Sequence, residues 1–268
     1  MPEKPNRYSS VIAEVFRRKY QEGAQRVSFE REELAAVAAE LGVKLPKNLG
    51  DIVYSFRYRT RLPESIMRSA PSGLEWIIRA TGQAKYEFSL TAMPRFVPNA
   101  SLAETKIPDA TPGIIAKFAS GDEQRLLARL RYNRLVDVFT GVTCYSLQSH
   151  FRTTAPGIGQ VETDEVYLGV DRRGAQYVIP VQAKGGTDQI GVIQIEQDIA
   201  ICASKFPLLI CRPVAAQFLE KNLIAMFLFE ATEHRIAVIS EKHYRLVPPD
   251  NLTKEDLESY GRRPIENI

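Results

Sequence analysis

Apolar residues recur at helical spacing in the first sixty positions. Val11, Ile12, Val15 and Phe16 share one face of a predicted helix over residues 8–22, with Arg17, Arg18 and Lys19 behind them. Leu34, Val37, Ala38 and Leu41 mark the buried face of a second helix, predicted to open at Ser28. Glu30, Glu32 and Glu33 favour its first turn through the macrodipole, and Gly42 ends it. A third helix is expected to start near Pro46 or Asn48 and to carry Tyr54, Arg57, Tyr58 and Arg61 outward. Strand-like runs follow over residues 74–80 and 86–90, around a turn at Thr81-Gly82.

Pro94, Pro98, Pro108 and Pro112 interrupt any regular pattern, so residues 94–115 read as a linker between a domain at 1–93 and another at 116–268. Helical spacing returns over 122–137 through Leu126, Leu127, Leu130 and Leu135, with Arg125, Arg129, Arg131 and Arg134 on the polar side. Residues 143–153 read as a strand leading to a turn at Pro156-Gly157. Two further strands follow within 159–184, around a turn at Asp171-Arg172-Arg173-Gly174. A helix capped by Thr187 or Asp188 is predicted to reach Lys205, with Gln194, Gln197 and Asp198 on one face. Strands are expected at 208–213, 223–230 and 235–240, and a polar surface segment at 246–268. Strands and helices mixed in this way predict a mixed α/β fold.

Composition narrows the picture only a little. In 268 residues, 44% are hydrophobic and 25% charged, enough for one large or two small packed domains. A net charge of +3 permits a nucleic-acid partner without demanding one. No apolar run approaches the ~20 residues of a membrane span, and the polar N-terminus lacks a signal core, so a cytoplasmic location is expected. Cys144, Cys202 and Cys211 lack CxxC spacing, which argues for a reducing compartment and against structural zinc. His150, His234 and His243 show no partner at fixed spacing, and no phosphate loop follows Gly157-x-Gly159.

The densest chemistry lies in residues 159–184. Side chains alternate along a strand, so Glu162 and Asp164 share a face, and Gln182 and Lys184 share a face of the next strand. Two carboxylates side by side repel by about 4 kcal/mol at ~4 Å and an effective dielectric near 20, a cost that a divalent cation removes. Oxygen donors of this kind suit Mg²⁺, which keeps waters and accepts phosphate as a partner. Val178, Ile179 and Val181 make the second strand apolar, yet it ends on glutamine and lysine. Lysine is seldom buried without an anion beside it.

An acid on one strand and (D/E/Q)-x-K on the next resembles the PD-(D/E)xK nuclease superfamily, which includes most type II restriction endonucleases. Asp164 matches the first acid, with Glu162 and Glu165 beside it. Gln182-Ala183-Lys184 resembles the Q-x-K form of Mrr-like nucleases, 18 residues further on. Glu123 lies where the family often adds an acid from its first core helix. Two features depart from the pattern. No proline precedes Asp164, and Pro180 sits inside the second strand, where an unpaired position is then needed. Three helices followed by a hairpin resemble a winged helix-turn-helix domain, with the Gly82-Gln83-Ala84-Lys85 turn as its wing.

These resemblances imply an N-terminal winged helix-turn-helix domain joined to a C-terminal restriction-endonuclease-like α/β domain with a central mixed sheet. The implied activity is Mg²⁺-dependent cleavage of double-stranded DNA, with Mn²⁺ as a substitute, by a homodimer. The expected catalytic set is Asp164, Gln182, Lys184, Glu162 and Glu165, with Asp164 and Gln182 on the metal. The expected DNA contacts are Tyr54, Arg57, Tyr58, Arg61, Lys85, Gln194 and Gln197. Two alternatives stand beside this reading: a non-catalytic winged-helix regulator with a degenerate nuclease-like domain, and a repair or junction nuclease.

Overall fold

The computed structural model describes residues 7–186, 188–232 and 235–264. The protein is mixed α/β and divides into two compact units. The first holds residues 1–95 with 154–161 and 191–193. The second holds 96–153, 162–190 and 194–268. Among the described residues no helix is long and apolar enough to cross a membrane.

The first unit opens with α1 (Ser9–Lys19), whose Val11, Ile12, Val15 and Phe16 are all buried. Where Ser28 was expected to open a helix, the chain instead forms strand β1 (Arg26–Glu30), burying Val27 and Phe29 alternately. Helix α2 (Arg31–Glu40) begins three residues later than predicted. Its start is fixed by the Glu33 carboxylate, which accepts the Glu30 backbone N–H at 2.8 Å, a capping-box bond. Helix α3 (Gly50–Tyr58) follows, with Asn48 Oδ1 accepting the Gly50 N–H at 3.1 Å, then a short α4 (Glu64–Met67). Strands β2 (Glu75–Gly82) and β3 (Lys85–Thr91) form the hairpin, and β3 lies between β1 and β2 in an antiparallel sheet. The core of this unit is aromatic: Phe16 packs edge-on against Trp76 and Phe88, with ring centroids 5.2 and 5.1 Å away.

The division falls at a two-residue strand, β4 (Arg95–Phe96). The stretch expected to be a linker is partly structured. Residues Glu104–Pro108 form strand β5, paired in parallel with a strand near the C-terminus, so this segment belongs to the second unit's sheet. Pro108 is compatible with that place because β5 is an edge. A short helix α5 (Gly113–Phe118) leads to α6 (Asp122–Tyr132) and α7 (Leu135–Thr140). The single helix predicted over 122–137 is therefore broken, at Arg134, whose φ is +52°.

Then come the long strands β6 (Thr143–Ala155), β7 (Gly159–Val170) and β8 (Gln176–Lys184). The β7–β8 turn is built by Asp171, whose Oδ1 accepts the N–H groups of Arg173 and Ala175 at 2.8 and 3.0 Å. A two-residue β9 (Ile190–Gly191) precedes α8 (Val192–Lys205). Asp188 therefore does not cap α8, and Thr187 lies outside the described residues. Strands β10 (Ile210–Cys211), β11 (Val214–Glu220), β12 (Leu223–Ala231) and β13 (Ile236–Val247) complete the sheet. The C-terminal segment also forms helix α9 (Lys254–Gly261), capped by Thr253 and Asp256.

The sheet runs β5-β13-β12-β11-β8-β7-β6, with β10 also paired to β8. Strands β7 and β8 are antiparallel, and β11 is parallel to β8. Alternation along β8 sorts its residues. Ile179, Val181 and Ala183 join Leu126, Leu127, Leu130 and Leu135 of α6 and α7 in one core. Val178 packs with Val166 of β7 and Cys202 of α8 on the other side. Pro180 is accommodated by a gap. On the far edge of β8, β10 pairs with Tyr177 and Val178, and β11 takes over only at Val181. The ladder on that edge skips the proline, which has no N–H to offer.

Candidate active site

Strands β7 and β8 part at the position where the acids and the lysine stand. Their ladder runs from Val170 opposite Gln176 to Glu165 opposite Val181. Beyond that point side chains take over the main-chain partners. Asp164 Oδ2 accepts the Ala183 N–H at 2.7 Å, and Thr163 Oγ1 donates to the Val181 carbonyl at 3.3 Å. The backbone groups freed by the splay are thus satisfied.

Asp164 is the electrostatic centre. Burial pushes its carboxyl up to about 6. The Lys184 ammonium and the Ala183 N–H pull the other way, Glu123 adds to the rise, and His150 opposes it. Glu123 comes from the first turn of α6, and Gly185 lets it approach. A Cβ at Gly185 would meet the Asp122 Cβ at 2.2 Å, so only glycine lets the start of α6 sit against the end of β8. The charges of Lys184, from the neighbouring strand, and of Glu123, from a helix, thus both act on Asp164.

The other predicted catalytic residues are placed differently. Glu165 points to the opposite side of β7 and is fully buried. Its Oε1 accepts from Arg131 Nε and Nη2 at 3.1 and 2.8 Å and from Ser146 Oγ at 2.5 Å. One residue along the strand is enough to take it away from Asp164. Gln182 does share a face with Lys184, but its amide is engaged. Nε2 donates to both carboxyl oxygens of Asp198 at 3.0 and 3.1 Å, and Oε1 accepts from Gln194 at 3.2 Å. With 1% exposure Gln182 is an internal tie to α8, in place of the metal ligand expected there. Asp198 itself is completely buried, and that burial pushes its carboxyl well above the usual range.

The face of α8 expected to meet DNA therefore turns inward. Gln197 is buried, and Gln194 holds Gln182. Glu162 keeps a place at the rim. Its Oε2 accepts from Arg152 Nε at 2.8 Å, and its Oε1 lies 3.4 Å from His150 Nδ1. His150, which showed no partner in the sequence, also has Nε2 2.9 Å from the Gln124 side-chain nitrogen. Counting outward from the turn after β6 sets Arg152 beside Glu162, and that count was the available signal for His150 as well. His234 lies outside the described residues. His243 is buried against Glu241, away from this cluster.

In the first unit, Tyr54 and Tyr58 stand 4.8 Å apart on α3. The Arg57 guanidinium lies 4.9 Å from the Tyr58 ring, and that of Arg59 lies 5.1 Å from Tyr54. Arg61 follows the end of α3 and so lies off its face, and Arg59, the residue just after the helix, is the one that reaches Tyr54. Lys85, at the hairpin turn, is exposed and 3.7 Å from Glu30.

Among the described residues no three His, Cys, Asp or Glu side chains are grouped to hold a metal ion. No family model, curated protein or solved structure matches this chain.

Proposed function

We propose that this protein is a metal-dependent endonuclease acting on double-stranded DNA, of the type II restriction kind. What carries the reading is the place of Asp164 where β7 and β8 part, within electrostatic reach of Lys184 and Glu123. A carboxylate with a raised pKa within reach of a lysine and a second acid is a candidate for acid–base and metal-assisted chemistry, and the resemblance to the PD-(D/E)xK pattern points that chemistry at a phosphodiester.

The residues fit Mg²⁺ as a partly hydrated ion. Asp164 and Glu123 supply two carboxylates, and the remaining positions fall to water and phosphate oxygens, the manner in which Mg²⁺ is usually held. The raised pKa of Asp164 comes first from burial, which Lys184 only partly offsets, and a cation would oppose that cost. When bound, such an ion would supply Lewis-acid polarisation of a phosphoryl oxygen. Lys184 steadies the attacking water and balances the charge that develops on the phosphorus oxygens. Gln182, tied to Asp198, fixes the strand on which Lys184 stands. In the first unit the helices and hairpin with sheet order β1-β3-β2 support a winged-helix reading, with Tyr54, Arg57, Tyr58, Arg59 and Lys85 toward the phosphates.

A regulator that binds DNA without cutting it is the second reading, favoured by Gln182, whose amide is already engaged by Asp198 and Gln194. Plasmid incubated with and without Mg²⁺ or Mn²⁺ separates the two. Discrete metal-dependent fragments are expected. A smear or branched-only cutting points to a repair nuclease. Binding with no cutting in either metal overturns the enzyme.

A further inference from the structure

Residue 150 has a backbone conformation that side chains other than glycine rarely adopt. His150 sits in the middle of β6 with φ at +50°, in the left-handed region. Strain of this kind persists where the surroundings over-determine it, often at functional sites. Here the surroundings can be named. Glu162 of β7 faces Nδ1 at 3.4 Å, and Gln124 of α6 faces Nε2 at 2.9 Å. Arg152 holds the other oxygen of Glu162 at 2.8 Å, so the carboxylate is oriented before it meets the imidazole. Asp164 lies within the imidazole's electrostatic reach, and Glu123 adds its charge to the same carboxyl. The His150 side chain is 46% exposed, so a substrate can reach it.

We infer that His150 is a further catalytic residue, the group that gives a proton to the departing oxygen of the phosphodiester. This rests on the nuclease reading above. With Glu162 facing Nδ1, Nε2 on the α6 side is left as the atom that exchanges a proton. In the free protein the Gln124 amide donates to Nε2, and Nε2 takes up its proton from solvent once DNA displaces that amide. In the step itself the oxygen of water bonds to phosphorus and the bond to the bridging oxygen breaks. That oxygen takes the proton from Nε2 and leaves as an alcohol. The water's proton passes to solvent, and the imidazole is reprotonated from solvent. No oxidant or second substrate is needed. Lys184 cannot replace this role, because it works on the attacking water and the phosphoryl oxygens.

The test uses two DNA substrates in single-turnover cleavage with the full chain. One has ordinary phosphodiesters. The other has sulfur in place of the bridging oxygen at the cleaved bond, a leaving atom that departs without a proton. His150→Asn is the variant of choice, since asparagine tolerates the left-handed backbone, and thermal melting checks its fold. On ordinary DNA it should cut at least ~100-fold more slowly, the usual scale of general-acid loss. On the sulfur substrate it should cut within a few-fold of the wild type, with DNA affinity unchanged. Glu162→Gln should show a smaller loss with the same rescue. Equal slowing on both substrates would mean a structural role and overturns the inference, as does near-normal cutting of ordinary DNA. If the wild type cuts neither substrate in Mg²⁺ or Mn²⁺, the nuclease reading falls first and takes this one with it.

Discussion

Asp164 and Glu165 are neighbours on one strand and live in opposite environments. Glu165 is sealed from water, with one oxygen accepting three bonds from Arg131 and Ser146. Asp164 is held by one main-chain N–H, and burial pushes its carboxyl up to about 6. The first carboxylate has a guanidinium in direct contact and serves the fold. The second has Lys184 near but is left short of positive charge, and such a group is available for chemistry. A carboxylate's burial therefore says little about its role until its partners are counted.

Lys184 gives the sharpest test of that difference, because it stands on the Asp164 side alone. Lys184→Ala should bind DNA with near-normal affinity and cut roughly 10²–10³-fold more slowly, the scale for removing one electrostatic contact to a transition state. Single-turnover cleavage at saturating enzyme measures it, and wild-type cutting would erase the functional half of the comparison.

The two acids should also respond oppositely to neutralisation. Free Asp164 ionises near 3.8 in the unfolded chain and near 6 in the fold. The folded state thus holds the extra proton between these values. Its stability falls as pH rises through that window, and above pH 6 the fold carries the whole cost, about 3 kcal/mol. Asp164→Asn removes the ionisation, so at pH 8 it should be more stable than wild type by about that amount. At pH 3.5 the two should melt alike. Glu165→Gln exchanges charge-assisted bonds for weaker neutral ones and should lose about 2 kcal/mol at pH 8. Urea unfolding at both pH values decides. Two losses at pH 8 would mean that the carboxylates are alike.

The smallest effect tests what brings Glu123 to the Asp164 side. Gly185→Ala puts a methyl group against Asp122 and forces α6 to shift. A loss of about 1–2 kcal/mol is expected from overpacking, with a several-fold fall in cleavage, read by melting and by rate. Unchanged values for both would mean that the close approach of α6 is dispensable.

Much of this was legible in the residue pattern. Val11, Ile12, Val15 and Phe16 announce α1, and the apolar run at 177–181 announces β8, because a buried face must be apolar wherever the chain goes. The alternation rule correctly paired Asp164 with the Gln182–Lys184 face. It missed β1, since Arg26–Glu30 is only five residues long and half polar, and it missed β11 and α9. It also read residues 104–108 as linker, because an edge strand set among prolines looks like a loop until its partner, 139 residues further on (243 against 104), is in place.

The sequence by itself determined which residues can carry charge at the site and which strand face each occupies, since period two is a property of the backbone. Partnership was decided only by the tertiary structure. Arg131 claims Glu165, Asp198 and Gln194 claim Gln182, and Gly185 admits the first turn of α6, all through contacts between different segments of the chain. The desolvation that lifts Asp164 likewise comes from the helices and strands packed around it, and no local pattern encodes that surrounding.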